Sequence, residues 1–247
     1  LSVMREQTCI VTHMDRTLDM EKLEYLANVE KSMDLSLRKQ SYNYFKTVCL
    51  PTFRQGWRNL EWGNLFQLYL YNCILASRST GKSYEGCFAF ILWRLYSYDR
   101  PTTFLRDSID NKNRKETCMI TNNETLGKKH IAMIISEIDQ NDIIREKLNP
   151  NGKAKLAATS ITTETDSILH LRSKDSMIRG LHVGAVVCDD LPDESSLYSQ
   201  EQREKLHEVF YGSITPIVEP FGYLCVLGTP YSATDIYGDL KKDGRFK

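Results

Sequence analysis

Residues 74–83 read Ile-Leu-Ala-Ser-Arg-Ser-Thr-Gly-Lys-Ser. Ile74 and Leu75 look like the end of a strand, and Gly81-Lys82-Ser83 opens a helix whose apolar run continues through Trp93. A strand, a polar loop and a helix in that order are the context a phosphate-binding loop needs. Successive backbone N–H groups and the helix N-terminus then face an anion. Such a loop comprises Ala76, Ser77, Arg78, Ser79, Thr80, Gly81, Lys82 and Ser83. Lys82 would reach the β- and γ-phosphates of a bound nucleotide, Ser83 would ligate Mg²⁺, and Arg78 would add a second cation near the γ-phosphate. Ala76 stands where the pattern usually has its first glycine, so the turn closes only if φ there is negative. A bare Gly-Lys-Ser triplet also occurs in surface turns that cap helices. The strand before it and the apolar helix after it favour the nucleotide reading.

About a hundred residues later the chain reads Val183-Gly-Ala-Val-Val-Cys-Asp-Asp. A continuous apolar run ending in carboxylates suits a central parallel strand buried on both faces. Its carboxyl end lies where open α/β sheets bind ligands. Asp189 is therefore placed to hold Mg²⁺ opposite Ser83, and Asp190 to polarise an attacking water. Asp193 and Glu194 follow within reach, or form only an acidic turn. A last core strand, 221–228, runs into Gly228-Thr229-Pro230. There the Thr229 hydroxyl can sense the γ-phosphate or its water, or simply end the strand.

The segment before the loop, 51–72, holds Phe53, Arg54, Gln55, Trp57, Trp62, Phe66, Gln67 and Tyr69. Most of these aromatics read as core. Gln55 and Gln67 are candidate readers of an adenine edge. Residues 1–50 are polar and helix-prone, with helical patterns near 20–29 and 35–48. They read as a helical lead-in or lid (1–50) to a domain spanning 51–247. Residues 105–115 read as an exposed charged loop. A short strand begins at Thr117, and a helix over 126–148 is capped by Asn123 or Thr125. Two weak strands lie near 154–160 and 167–171, and a helix covers 200–211. Alternating strands and helices point to an α/β domain with a mostly parallel sheet.

The 247 residues suffice for one large domain, and 41% apolar with 26% charged residues is ordinary for a soluble protein with a full core. Lys plus Arg and Asp plus Glu are 32 each, so no global field draws the chain to nucleic acid or membrane. Any DNA contact has to come from a local basic patch or from several copies assembled. The seven cysteines lack a Cys-x-x-Cys pair, and Cys73, Cys87, Cys188 and Cys225 sit in apolar runs. They read as buried, reduced thiols rather than disulfides or a zinc site. The five histidines show no ligand spacing and read as packed or solvated. No signal peptide or membrane span is visible. The abrupt start and stop read as a fragment of a longer protein.

In order, the loop 76–83, the acidic strand 183–190 and the turn 226–230 resemble the ATPase domain of the large terminase subunit, the DNA-packaging motor of tailed bacteriophages. Ser-Arg-x-x-Gly-Lys-Ser is similar to that family's variant phosphate loop, and Leu-Gly-Thr-Pro to its coupling motif. The stretch Met177-Ile-Arg-Gly-Leu is similar too, and the likeness covers roughly 50–240. The resemblance implies a three-layer P-loop NTPase of the additional-strand, catalytic-glutamate type. It implies ATP and Mg²⁺ as cofactors, Asp189 as Walker B aspartate, Arg78 as a γ-phosphate sensor in cis, and Thr229 in coupling. The family's catalytic glutamate position is Asp190 here, so either the water sits closer or Glu194 serves. The resemblance also implies double-stranded DNA without sequence preference, a portal and prohead, a small terminase subunit and a packaging ring as partners. Alone the chain would be a monomer, in host cytoplasm with no membrane attachment. A trans arginine would come from Arg100, Arg106, Arg114 or Arg145. The family's C-terminal nuclease domain has no counterpart in this sequence, so no DNA cleavage is expected of it.

Overall fold

The computed structural model of the chain describes residues 2–97, 115–176, 178, 180–193, 199–231 and 235–247, with side chains from residue 20 onward except Glu21. The charged loop before Lys115, Glu194, Arg100, Arg106 and Arg114 lie outside the described residues.

Helix α1 (Ser2–Gln40) passes into α2 (Tyr42–Cys49) through Ser41, whose extended backbone and hydroxyl cap the second helix by accepting from the Tyr44 N–H at 3.2 Å. Helix α3 (Trp57–Leu68) precedes strand β1 (Tyr71–Leu75). After the polar loop comes a π-helical stretch, Tyr84–Phe90, that continues as α4 (Ile91–Tyr96). From Cys87 through Trp93 every side chain is buried, as the apolar run requires. Next come β2 (Glu116–Thr121), α5 (Glu124–Gln140) and α6 (Asp142–Leu148). The single helix expected over 126–148 is thus broken. Asn141 leaves helical geometry because its amide donates to the Cys49 carbonyl at 2.6 Å, while its oxygen caps α6. Asn123 caps α5.

Strands β3 (Lys155–Ala157) and β4 (Ser160–Thr162) form a hairpin where one weak strand was expected. Then follow β5 (Ile168–Ser173), β6 (Val183–Asp189), α7 (Gln200–Val209), β7 (Val218–Gly228) and α8 (Ile236–Leu240). Strand β7 starts earlier than expected and contains Pro220. The β6–β7 register shifts between Val183 and Ala185, so the proline sits in an irregularity that needs no ladder donor.

The seven-stranded sheet has the order β1-β7-β6-β2-β5-β4-β3. The pairs from β1 to β5 are parallel, and β4 and β3 add antiparallel. Each central strand splits its side chains between two cores. Met119, Val187, Cys225 and Leu227 join the α2–α6 side, whereas Cys118, Val186, Leu224 and Val226 join the α7–α8 side. Burial on both faces explains why these strands read as unbroken apolar runs. Helix α2 belongs to the first core: Tyr42 and Phe45 are fully buried, and Tyr42 meets Phe66, Phe90 and Trp93 edge-on or tilted.

Candidate functional site

Strand register brings four strand ends into one row. Leu75 lies opposite Gly228, Leu227 opposite Asp189, and Asp189 opposite Thr121. β7 intervenes between β1, which feeds the phosphate-type loop, and β6, which ends in carboxylates. The loops leaving these ends carry most of the candidate residues.

The loop is tied down at its start, where the Ala76 N–H donates to the Gly228 carbonyl at 3.0 Å. Ala76 keeps a negative φ, as its Cβ requires. The left-handed positions fall at Ser79 (φ 64°) and Gly81 (φ 85°). Glycine meets the second without strain, whereas Ser79 holds a conformation L-residues seldom adopt. Thr80 Oγ1 donates to the Ser77 carbonyl at 2.8 Å. Arg78 reaches outward, donating to the Tyr231 hydroxyl at 2.9 Å.

Lys82 is only 5% exposed, and its ammonium meets Thr229 Oγ1 at 3.0 Å and Asp190 Oδ2 at 3.2 Å. Asp190 has a positive φ of 41°, with its N–H donating to the Leu227 carbonyl at 3.0 Å. Its Oδ1 accepts from the Thr229 N–H at 3.0 Å. The carboxylate is therefore pinned from two sides, by the lysine and by the turn after β7.

Asp189 is buried, and its Oδ1 accepts from Ser83 Oγ at 2.8 Å. Burial pushes its carboxyl up to about 6, and the Asp190 charge adds to this, while the Ser83 hydrogen bond and Lys82 oppose it. A hydroxyl and a carboxylate oxygen 2.8 Å apart form a hard pair spaced like adjacent ligands of an octahedron with ~2.1 Å bonds. Ser83 and Asp189 fit Mg²⁺.

The remaining candidates separate. Gln55 donates from Nε2 to Thr47 at 3.2 Å, and its buried Oε1 has no hydrogen-bond partner among the described residues. Gln67 is engaged at both ends in the α1–α2 junction, accepting from the Tyr42 N–H and donating to the Gln40 carbonyl. Phe53 stacks on Tyr84 with centroids 5.0 Å apart and planes 6° apart, and Tyr84 directly follows Ser83. Asp193 pairs with Lys174. Arg145 pairs with Asp142 on its own helix. The spacing in sequence gave no sign of Tyr231 as a partner for Arg78. Nor did it show that Cys87 and His130 lie directly beside Asp189.

A parallel sheet with the loop strand and the acidic strand separated by one further strand, and with lysine, hydroxyl and carboxylates meeting at its edge, defines a P-loop NTPase fold of the additional-strand type. The chain is similar in fold to the solved ATPase domain of the Thermus phage P74-26 large terminase, at 12% identity and a TM-score of 0.51, covering 78% of this chain and 70% of that one. A mutant of that domain matches at 10% identity and a TM-score of 0.56, covering 81% and 74%. The HK97 bacteriophage large terminase matches at 9% identity and a TM-score of 0.51, covering 78% of this chain and 38% of that one. The chain thus spans well under half of the HK97 protein. No protein-family model and no curated protein sequence matches it. Among the described residues, no helix is long and apolar enough to cross a membrane.

Proposed function

We propose that this chain is the ATP-hydrolysing motor domain of a viral large terminase subunit, driving double-stranded DNA into a prohead. One observation carries the reading. Lys82 and Ser83, Asp189 and Asp190, and Thr229 come from three distant stretches and meet within hydrogen-bond distance at one sheet edge. The likeness in fold to large-terminase ATPase domains supports this motor class among P-loop proteins.

The loop N–H groups and Lys82 bind the phosphates of ATP, and Ser83 with Asp189 hold Mg²⁺, which when bound neutralises phosphate charge. Lys82 exchanges Asp190 and Thr229 for phosphate oxygens as the nucleotide enters. Asp190, freed from the lysine yet still held by the Thr229 N–H, orients the attacking water. Glu194 is the other carboxylate able to do so. Thr229 ties that carboxylate to the turn after β7, so loss of the γ-phosphate is felt there. Arg78 senses the γ-phosphate in cis, and Gln55 offers a free acceptor to the adenine amine. Catalysis is positioning and electrostatics, to which an arginine from a neighbouring subunit adds about 10³–10⁵ in rate. DNA is gripped through its phosphates by a ring of copies, without sequence preference. The portal and a small terminase subunit complete the assembly in the host cytoplasm.

The test is ATP turnover with Mg²⁺, measured for the chain alone and with DNA and proheads. Turnover is slow alone and rises in the assembly, and Lys82→Ala lowers it at least ~100-fold, the cost of removing one transition-state donor. A wild type that never turns over, even with proheads and DNA, makes the chain a nucleotide-gated scaffold. DNA unwinding without packaging makes it a helicase-like ATPase.

A further inference from the structure

We infer a second cation site behind Asp189, formed by Cys87, His130 and the Asp189 oxygen turned away from Ser83, and suited to a borderline-soft dication of the Zn²⁺ class. The site itself stands apart from the nucleotide reading, whereas its antagonism to Mg²⁺ rests on that reading. Cys87 lies in the π-helical stretch after the loop, His130 on α5 and Asp189 at the end of β6. One donor atom from each lies within 4.8 Å of the other two, and all three residues are buried. The His130 ring and Asp189 Oδ2 stand 3.9 Å apart.

Independent of that proximity, three of the donor atoms are unsatisfied, and only the Cys87 thiol has a partner, leaning on the Asp189 carboxylate. Both ring nitrogens of His130 and Asp189 Oδ2 are buried without a hydrogen-bond partner among the described residues, and His130 is only 8% exposed. Buried polar atoms nearly always have a partner, and leaving one unmade is costly. A single dication would satisfy the imidazole and the carboxylate together. Zn²⁺ with ~2.0–2.3 Å bonds needs ligand atoms roughly 3.3–3.8 Å apart in a tetrahedron, so the side chains close in by up to about 1.5 Å. Thiolate, imidazole and carboxylate are its preferred donors, whereas Mg²⁺ prefers oxygen. Binding displaces the Cys87 thiol proton to solvent.

Asp189 thereby faces two cations. Oδ1 belongs with Ser83 on the phosphate side, and Oδ2 with His130 and Cys87 behind. A dication on Oδ2 draws charge from Oδ1, so Zn²⁺ behind the carboxylate opposes Mg²⁺ in front of it.

The test is a Co²⁺ titration of the full 247-residue chain without nucleotide. One Co²⁺ per chain is expected, with tetrahedral d–d bands and a thiolate-to-cobalt charge-transfer band that Zn²⁺ bleaches. The charge-transfer band disappears in Cys87→Ser. His130→Gln weakens binding at least ~10–100-fold, the range known for lesser, outer-shell changes. A spectrum without the thiolate band, a band that survives Cys87→Ser, or unchanged affinity in His130→Gln overturns the site. His130→Gln keeps the question decidable should Cys87→Ser fail to fold. One equivalent of Zn²⁺ should also raise the Mg²⁺ concentration needed for nucleotide binding, and an unchanged requirement overturns the antagonism. A chain that binds no nucleotide refutes the function proposed above and leaves the cobalt result standing.

Discussion

The Ser83 hydroxyl donates to Asp189 Oδ1 at 2.8 Å across 106 residues of sequence. It closes the distance between the polar loop after β1 and the carboxylates after β6, and the register of β7 between them sets that distance. The testable consequences of the site begin with this pair.

The metal-free protein should become less stable as pH rises past the Asp189 titration. Burial raises its folded carboxyl to about 6, above its ordinary value of 3.8, so the folded state holds the extra proton. Stability from this group is full below ~4 and is lost as pH rises through about 6, by roughly 3 kcal/mol at ~1.4 kcal/mol per unit. The neutral His130 beside it works in the opposite sense, because burial lowers its basicity and acid must force a charge onto it. Asp189→Asn isolates the first contribution. Denaturant midpoints from pH 4 to 8 should show the variant more stable than wild type near neutrality and level with it in acid.

Asp190 and Glu194 are separated by charge-neutral replacements. Asp190→Asn keeps an oxygen for the Thr229 N–H but removes the charge facing Lys82. ATP turnover should fall by ~10²–10⁴, the usual worth of a positioned general base, while Glu194→Gln remains near wild type. The reverse pattern would move the base to Glu194.

A buried ion pair links the N-terminal helices to the helix after the loop. Lys46 and Glu85 are both fully buried, and Glu85 also accepts from the Tyr42 hydroxyl at 2.8 Å and the Asn59 amide at 2.9 Å. Lys46→Met leaves that carboxylate uncompensated and should cost about 3–5 kcal/mol in chemical denaturation. Lys46→Met with Glu85→Leu should cost less than the single change. Equal or greater loss in the double variant would show that packing, not charge, dominates.

Gly86 couples the same helix to β7. A Cβ there would meet Leu227 Cδ1 at 2.4 Å, and Leu227 lies two residues before Thr229. Gly86→Ala should cost about 1–3 kcal/mol by overpacking and impair turnover with it. Thermal unfolding and ATPase assays on the same sample check both.

Much of this was legible in one dimension. The apolar run 183–188 ending in two carboxylates identified a central strand, because burial on both faces erases polar alternation. Gly81-Lys82-Ser83 between a strand and an apolar helix identified the loop. The helix expected over 126–148 failed for a tertiary reason: Asn141 is pulled out by the Cys49 carbonyl, which lies 92 residues away in sequence. Gln55 and Gln67 looked alike as amides, and only the fold showed one occupied by backbone and the other with a free oxygen.

Local chemistry thus settled what most elements are, since hydrophobic period, loop glycine and strand-end carboxylates act over a few residues. Three-dimensional packing decided which elements meet. It put β7 between the loop strand and the acidic strand, seated Lys82 on Asp190 and Thr229, and gathered Cys87 and His130 behind Asp189. These residues have no shared spacing along the chain, because their proximity comes from parallel strand register and from two helices crossing the same sheet face.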